Sequence, residues 1–262
     1  MIQDKIYNES NLETMSRMPD NFIDLTVTSP PYDNLRTYNG YEFDFESIAK
    51  ELFRVTKDGG VVVWVVGDAT IKGSETGTSF RHALFFMECG FRLHDTMIYK
   101  THKPPMNDRR YQACFEYMFV LSKGRPKTFF PIKVDSKKAG QKRQSITHWN
   151  PDGSKKLMSK GGEYSLMKTK ESVWIFASGN NGDDKDSMKH PARFPEQLAN
   201  DHIISWSNEE DLVYDPFMGS GTTAKMAILN NRRYIGSEIS QEYCDIATKR
   251  IHEAKQELTL FK

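Results

Sequence analysis

An open, doubly wound, mostly parallel α/β sheet is the fold class that this sequence predicts. Three observations point to it. Apolar runs of strand length alternate with stretches of helical period along most of the 262 residues. One run, Val61-Val62-Val63-Trp64-Val65-Val66, is apolar throughout, as expected of a strand covered on both faces of a parallel sheet. Two other runs end in stiff or glycine-rich corners, Thr28-Ser29-Pro30-Pro31-Tyr32 and Asp215-Pro216-Phe217-Met218-Gly219-Ser220-Gly221. Ligand sites in such sheets form at corners of this kind.

The elements follow in order. Ile6 to Met18 is amphipathic, and Asn11-Leu12-Glu13-Thr14-Met15 begins a helix. Phe22-Ile23-Asp24-Leu25-Thr26-Val27 reads as a buried strand. It must stop at Pro30-Pro31, because proline has no N–H for a ladder. Residues 33–41 are polar and read as a loop. Phe45, Ile48, Leu52 and Phe53 recur at helical spacing, with Gly59-Gly60 expected to close that helix. Beyond the valine strand, Phe80, Leu84 and Met87 mark one face of a second helix closed by Gly90. Residues 91–100 and 116–121 alternate with no helix between them, so an antiparallel pair at a sheet edge is expected. A basic segment of low regularity, residues 123–170, then interrupts the pattern, and Val173-Trp174-Ile175-Phe176 resumes it. His190-Pro191-Ala192-Arg193-Phe194-Pro195 leads into a helix, with Pro195 suited to its first turn. Leu212-Val213-Tyr214-Asp215 is a strand, Thr222-Thr223 opens a helix, and Tyr234-Ile235-Gly236-Ser237-Glu238 is a strand ending in an acid. A last helix starts near Gln241. There is no internal repeat.

Composition narrows the function classes. A hydrophobic content of 38% and an aromatic content of 12% suit a globular enzyme. No run approaches the length of a membrane span, and Met1-Ile2-Gln3-Asp4-Lys5 does not read as a signal peptide, so no membrane partner is expected. The three cysteines, Cys89, Cys114 and Cys244, are scattered and form no C-x-x-C. Neither a metal centre nor a disulfide framework is expected, and a reducing cytoplasm is the natural compartment. The net charge of +1 hides an imbalance: residues 123–170 hold thirteen Lys/Arg against three acids. Such a segment is either a solvated loop or the footprint of a polyanion. Trp149 and Tyr164 within it could contact a groove, although large aromatics are more often core.

The two corners carry the chemistry. Ser29 offers a hydroxyl, Pro30 a carbonyl with no neighbouring N–H, and Tyr32 a flat ring. Rigid acceptors beside a ring suit a planar substrate bearing an exocyclic amine. In the second corner, Gly219 and Gly221 allow tight turning and close approach of a ligand. Glu238 lies 19 residues after Gly219, at the end of the next strand, the position of a ribose-binding acid in nucleotide folds. No Gly-Lys-Ser/Thr follows, so a phosphate-cradling loop is excluded.

Together the corners resemble the SAM-dependent amino-methyltransferases of DNA (SAM, S-adenosylmethionine). Asp215-Pro216-Phe217-Met218-Gly219-Ser220-Gly221 is similar to that family's SAM motif and Ser29-Pro30-Pro31-Tyr32 to its catalytic tetrad. His190-Pro191 with Phe194-Pro195 is similar to a third, SAM-side motif. The catalytic motif comes first, which is the order of the beta group. The resemblance implies a seven-stranded Rossmann-like methyltransferase domain, residues 1–122 and 171–262, with residues 123–170 as a target-recognition insert. It implies SAM contacts from Asn11, His190, Pro191, Phe194, Asp215, Pro216, Phe217, Gly219, Gly221, Thr222 and Glu238, and phosphate contacts from Lys137, Lys138, Lys142 and Arg143. The family usually has Gly-Asp before its first helix, whereas this chain has Glu9-Ser10-Asn11. Asn11 is therefore the candidate near the adenine. Ser29 stands where adenine-modifying relatives usually carry Asp or Asn, which favours cytosine N4 over adenine N6. Double-stranded DNA is the implied partner, and a second copy of the chain and a cognate restriction endonuclease are further candidates. Three rivals remain: a SAM enzyme for RNA or a protein amide, a dinucleotide oxidoreductase using Gly219, Gly221 and Glu238, and a non-catalytic DNA-binding module.

Overall fold

A computed structural model describes residues 1–31, 43–101, 110–176 and 195–260. Tyr32, His190, Pro191 and Phe194 lie outside the described residues. The chain forms two compact units, residues 1–130 with 172–262, and residues 131–171.

The first unit begins with β1 (Lys5–Tyr7), α1 (Asn11–Ser16), β2 (Ile23–Thr28), α2 (Phe45–Val55) and β3 (Thr56–Val66). A small hairpin, β4 (Thr70–Ile71) and β5 (Ser74–Glu75), precedes α3 (Thr78–Glu88), β6 (Arg92–Lys100) and β7 (Phe115–Ser122). The second unit holds β8 (Lys133–Asp135), β9 (Lys142–Arg143), β10 (Ile146–Trp149), β11 (Lys155–Ser159), β12 (Gly162–Glu163) and β13 (Met167–Thr169). The first unit resumes with β14 (Val173–Ile175), α4 (Glu196–Trp206), β15 (Leu212–Asp215), α5 (Thr222–Leu229), β16 (Arg233–Ser237) and α6 (Gln241–Leu260).

The main sheet has eight strands, not seven, in the order β1-β16-β15-β2-β3-β7-β6-β14. Only β7 runs against the others, pairing antiparallel with β3 and β6. The expected β6–β7 pair therefore exists but is not the edge. Val173-Trp174-Ile175 pairs parallel with β6 and takes that place, and β1 closes the other side on β16. From β2 the chain crosses through α2 to β3; from β15 it crosses through α5 to β16, in the opposite direction. Right-handed crossovers then set α2 and α5 on opposite faces. The strand order reverses between β2 and β15, which are direct neighbours, with Tyr214 opposite Thr26.

Covering both faces explains the all-apolar run: Val61 to Val66 are at most 1% exposed. Val62, Trp64 and Val66 join Ile48, Leu52 and Phe86 in the core, each worth about 1.5–3 kcal/mol of burial. Helix α2 ends at Val55, ahead of Gly59-Gly60, which lie inside β3. No glycine is needed to stop it. The Lys123 ammonium donates to the terminal carbonyls of Phe53 (2.9 Å) and Thr56 (3.0 Å), groups a helix end leaves open. In α3 the expected stripe of Phe80, Leu84 and Met87 is the outer one, 52, 60 and 46% exposed. The inner face holds Ser79, His82, Ala83 and Phe86. Phe86 packs 5.0 Å from Trp64, and His82 stacks at 3.7 Å on Phe45. Helical period alone cannot choose between two apolar stripes.

The second unit is a nested antiparallel ribbon: β8 pairs with β13, β9 with β12 and β10 with β11. The segment expected to be irregular is thus paired along its length. Trp149, placed in the core by its type, is 61% exposed on this ribbon. Residues 123–130 belong to the first unit. There Phe129 stacks on Trp206 at 4.5 Å and the Lys127 amide donates to Gly59 at 3.0 Å. Among the described residues no helix is long and apolar enough to cross a membrane.

Candidate active site at the strand switch point

The two corners meet because β2 and β15 end side by side. Thr28 closes β2 and Asp215 closes β15, and the Thr28 hydroxyl donates to Asp215 Oδ1 at 2.6 Å. The same oxygen accepts the Phe217 N–H at 3.0 Å. A second brace runs the other way, from the Thr223 hydroxyl to the Val27 carbonyl at 3.1 Å. Ser29 and Pro30 follow Thr28 directly, so they are held beside the glycine loop. Pro30 is buried, while Ser29 and Pro31 are half-buried.

Thr28 is fully buried and Asp215 is 2% exposed. Burial pushes the Asp215 carboxyl up to about 6, against the pull of hydrogen bonds from Thr28, Phe217 and Thr223, while the Glu238 charge pushes it further up. The acid thus holds its proton more tightly folded than unfolded. Its contribution to stability is full below the ordinary value of 3.8 and is lost as pH rises through about 6. Asp215→Asn cannot titrate. The melting midpoint of the wild type, taken relative to this variant, should fall between about pH 4 and pH 6. A constant difference across that window in scanning calorimetry would contradict the assignment.

The glycine loop is held from the next strand. The Met218 amide donates to the Ser237 carbonyl at 2.9 Å. Gly219, at φ +51°, turns its N–H to Glu238 Oε2 at 2.8 Å, and the Ser240 amide meets Oε1 at 2.9 Å. Burial raises the Glu238 carboxyl above its ordinary value, countered by backbone N–H groups of Ser240, Gly219 and Ile239. Each oxygen retains acceptor capacity, since a carboxylate offers about four lone-pair sites. Gly221, at φ +83°, begins α5. A Cβ there would meet the Ala247 Cβ at 2.8 Å. Its lack of a side chain thus serves the packing of α5 on α6. The Thr222 hydroxyl also faces α6, accepting from Arg250 Nη1 at 3.4 Å.

Asn11 lies at the same strand ends. The Ser10 hydroxyl caps α1 by accepting the Glu13 N–H at 3.1 Å, which sets Asn11 as the first helical residue. Its side-chain amide is buried and donates to the Pro216 carbonyl at 3.3 Å. Glu9 is engaged by Arg17 and by the Thr14 hydroxyl, so it does not replace the family's acid here. Phe217 packs 5.7 Å from Phe43 and 6.2 Å from Trp64. The structure thus brings together Ser29, Pro30, Pro31, Asn11, Asp215, Pro216, Phe217, Gly219 and Glu238. In the ribbon, Lys142 and Arg143 form β9, Lys138 lies 5.5 Å over the Tyr164 ring, and Lys137 is exposed.

Sequence reading missed three residues that build this site. Thr28 is a polar residue ending an otherwise apolar strand. Arg250 is a charge on the buried side of α6, among Ala247, Ile251 and Ala254. Glu196 accepts from Arg250 Nη2 at 2.6 Å and from Lys225 at 2.8 Å. Arg250 Nη1 reaches the Ser220 hydroxyl at 3.1 Å. An arginine breaking a helix's apolar stripe was the available signal.

Known proteins share this arrangement. The N6/N4 methyltransferase family model, described as DNA methylase, matches residues 23–249. The orphan methyltransferase M.BamHII of Bacillus amyloliquefaciens is 57% identical over 235 residues, spanning 87% of this chain and 88% of that protein. The type II methyltransferase M.BglII of Bacillus subtilis is 30% identical over 256 residues, spanning 93% of this chain and 67% of that one. Among solved structures, the cytosine-N4-specific PvuII DNA methyltransferase superposes with a TM-score of 0.69 at 21% identity, covering 96% of this chain and 90% of its own. At that identity the likeness speaks for the fold.

Proposed function

This chain belongs to the N6/N4 DNA methylase family, and on that premise we propose that it methylates the exocyclic amine of a base flipped out of double-stranded DNA, cytosine N4 ahead of adenine N6, with SAM as donor. The hydrogen bond from Thr28 to Asp215 at 2.6 Å carries this reading, because it registers the Ser-Pro-Pro corner against the glycine loop.

The donor set fits SAM. Glu238, largely buried at a carboxyl strand end, has acceptor capacity for a ribose diol, and the Gly219 turn beside it leaves the backbone bare. Asn11, Pro216 and Phe217 stand nearby for the adenine and methionine parts. When bound, SAM supplies a methyl group already activated by its sulfonium. The chain's own contribution is then positioning. An exocyclic amine is a poor nucleophile because its lone pair is delocalised into the ring. Ser29 Oγ and the Pro30 carbonyl accept the amine hydrogens and localise that pair on nitrogen. Tyr32 supplies a stacking face for the base. The base must leave the duplex to reach the corner. No residue is used as a covalent nucleophile, and no Pro-Cys of the kind that carbon-5 methylation requires occurs.

Ser29 favours cytosine over adenine in this reading, through the resemblance described above. Glu238→Gln should raise the SAM Kd about tenfold, the size of a lost hydrogen bond to a charged group, with the fold intact. Unchanged affinity in titration calorimetry would remove Glu238 from the site. The function itself is tested with methyl-tritiated SAM and unmethylated duplex DNA. Acid-stable label should enter the DNA without a trapped protein–DNA adduct. Label that reaches only RNA or protein, or a covalent adduct, would overturn the proposal.

A further inference from the structure

The ribbon of residues 131–171 contains no buried residue. A lone two-stranded ribbon is marginal in water, yet its outer end shows Ile146, Trp149, Leu157 and Met158 at 55, 61, 51 and 63% exposure. Register divides its faces. Thr147 opposes Leu157 and Trp149 opposes Lys155 on one side, while His148 opposes Lys156 on the other. The Lys155 ammonium lies 4.4 Å over the Trp149 ring. Below this arm the ribbon bends. A register shift falls between Ile146 and Thr147, and such bulges bend and twist a strand pair. At Gly161 a Cβ would meet the Arg143 carbonyl at 2.8 Å, so the strands approach closely there. The bend opens a polar cleft of about 600 Å³ lined by Lys138, Lys142, Arg143, Gln141, Gln144 and Tyr164.

We propose that the outer arm, residues 144–160, enters the major groove of the substrate DNA and reads base edges, while the cations of the bend hold backbone phosphates. This rests on the DNA methyltransferase reading above and says which part of the chain chooses the target. A two-stranded ribbon fits the major groove, roughly 12 Å wide. The charge matches DNA: residues 131–171 hold ten Lys/Arg against four acids. The arm's side chains are of base-reading types. Leu157 and the Thr147 methyl suit a thymine methyl, and His148 and Lys156 suit purine acceptors. An apolar protein partner would not call for cations between the exposed apolar groups.

The test separates binding from methyl transfer. Full-length protein is used to select from a pool of randomised DNA duplexes, and the bound fraction is sequenced. Wild type should enrich one motif. Trp149→Ala with Leu157→Ala removes no charge and touches no buried group. It should cut discrimination against single mismatches about tenfold and leave the salt slope of binding unchanged. Lys142→Ala with Arg143→Ala should weaken all duplexes alike and reduce the salt slope by about two. Wild-type motif enrichment in the tip variant, or a wild-type salt slope in the bend variant, would overturn the proposal. Ribbon-dependent motif selection by a protein that transfers no methyl would support the ribbon and count against the active-site reading.

Discussion

Ser29→Ala should lower kcat about 100-fold, the scale on which one preorganised charge-stabilising partner is lost, and leave the SAM Kd within about threefold. The hydroxyl stands in a half-buried corner, one residue beyond the fully buried Thr28. Its removal leaves the Pro30 carbonyl as the remaining acceptor, so the amine is held at one hydrogen and its lone pair stays more delocalised. That acceptor works hardest as the nitrogen gains positive charge, so kcat and kcat/KM should fall together. The braces from Thr28 to Asp215 and from Thr223 to Val27 do not involve the Ser29 side chain. The glycine loop should therefore keep its shape. Single-turnover rates with saturating SAM check this. A kcat within a factor of two of wild type would exclude Ser29 from the chemistry.

Arg250→Met should be the most damaging substitution for stability, by about 3–5 kcal/mol, the cost of removing one partner of a buried ion pair. The Arg250 side chain has no exposed surface, and Glu196, its carboxylate partner, is 18% exposed. Methionine fills much of the same volume, so the loss reports the charge and hydrogen bonds more than a cavity. Glu196 would retain Lys225 at 2.8 Å. The Ser220 hydroxyl and the Thr222 hydroxyl would lose a donor. For a chain of this size the midpoint should drop on the order of 6–20 °C. Ser220 and Thr222 belong to the glycine loop and the start of α5, so SAM should also stabilise the variant less than wild type. A drop under 2 °C in scanning fluorimetry would contradict this role.

How far the sequence could be read depended on the range of the forces involved. The valine run announced a strand buried on both faces because burial imprints composition directly. Pro30-Pro31 and Gly219-Gly221 announced corners because those residues restrict or free the backbone locally. Their adjacency followed from a topological rule, since ligand corners flank the point where strand order reverses. The Thr28–Asp215 bond could not be read, because it joins residues 187 apart in the chain. The ribbon escaped notice for a related reason. Its strands are two to five residues long and rich in lysine and glycine, so no period survives to reveal pairing set by partners up to 36 residues away. The exposed stripe of α3 was taken for the buried one because both are apolar, and only packing against Trp64 and Phe45 distinguishes them. Gly221 was read as a ligand contact, while its φ and its approach to Ala247 tie it to helix packing.

Nucleoside mass spectrometry of duplex DNA treated with the protein and SAM reads the product of the Ser29 corner directly. N4-methylcytosine is the expected product, formed by wild type and about 100-fold more slowly by Ser29→Ala. N6-methyladenine would keep the amine chemistry and overturn the base assignment. 5-Methylcytosine, or no methylated nucleoside from a protein that binds SAM and DNA, would contradict the mechanism itself.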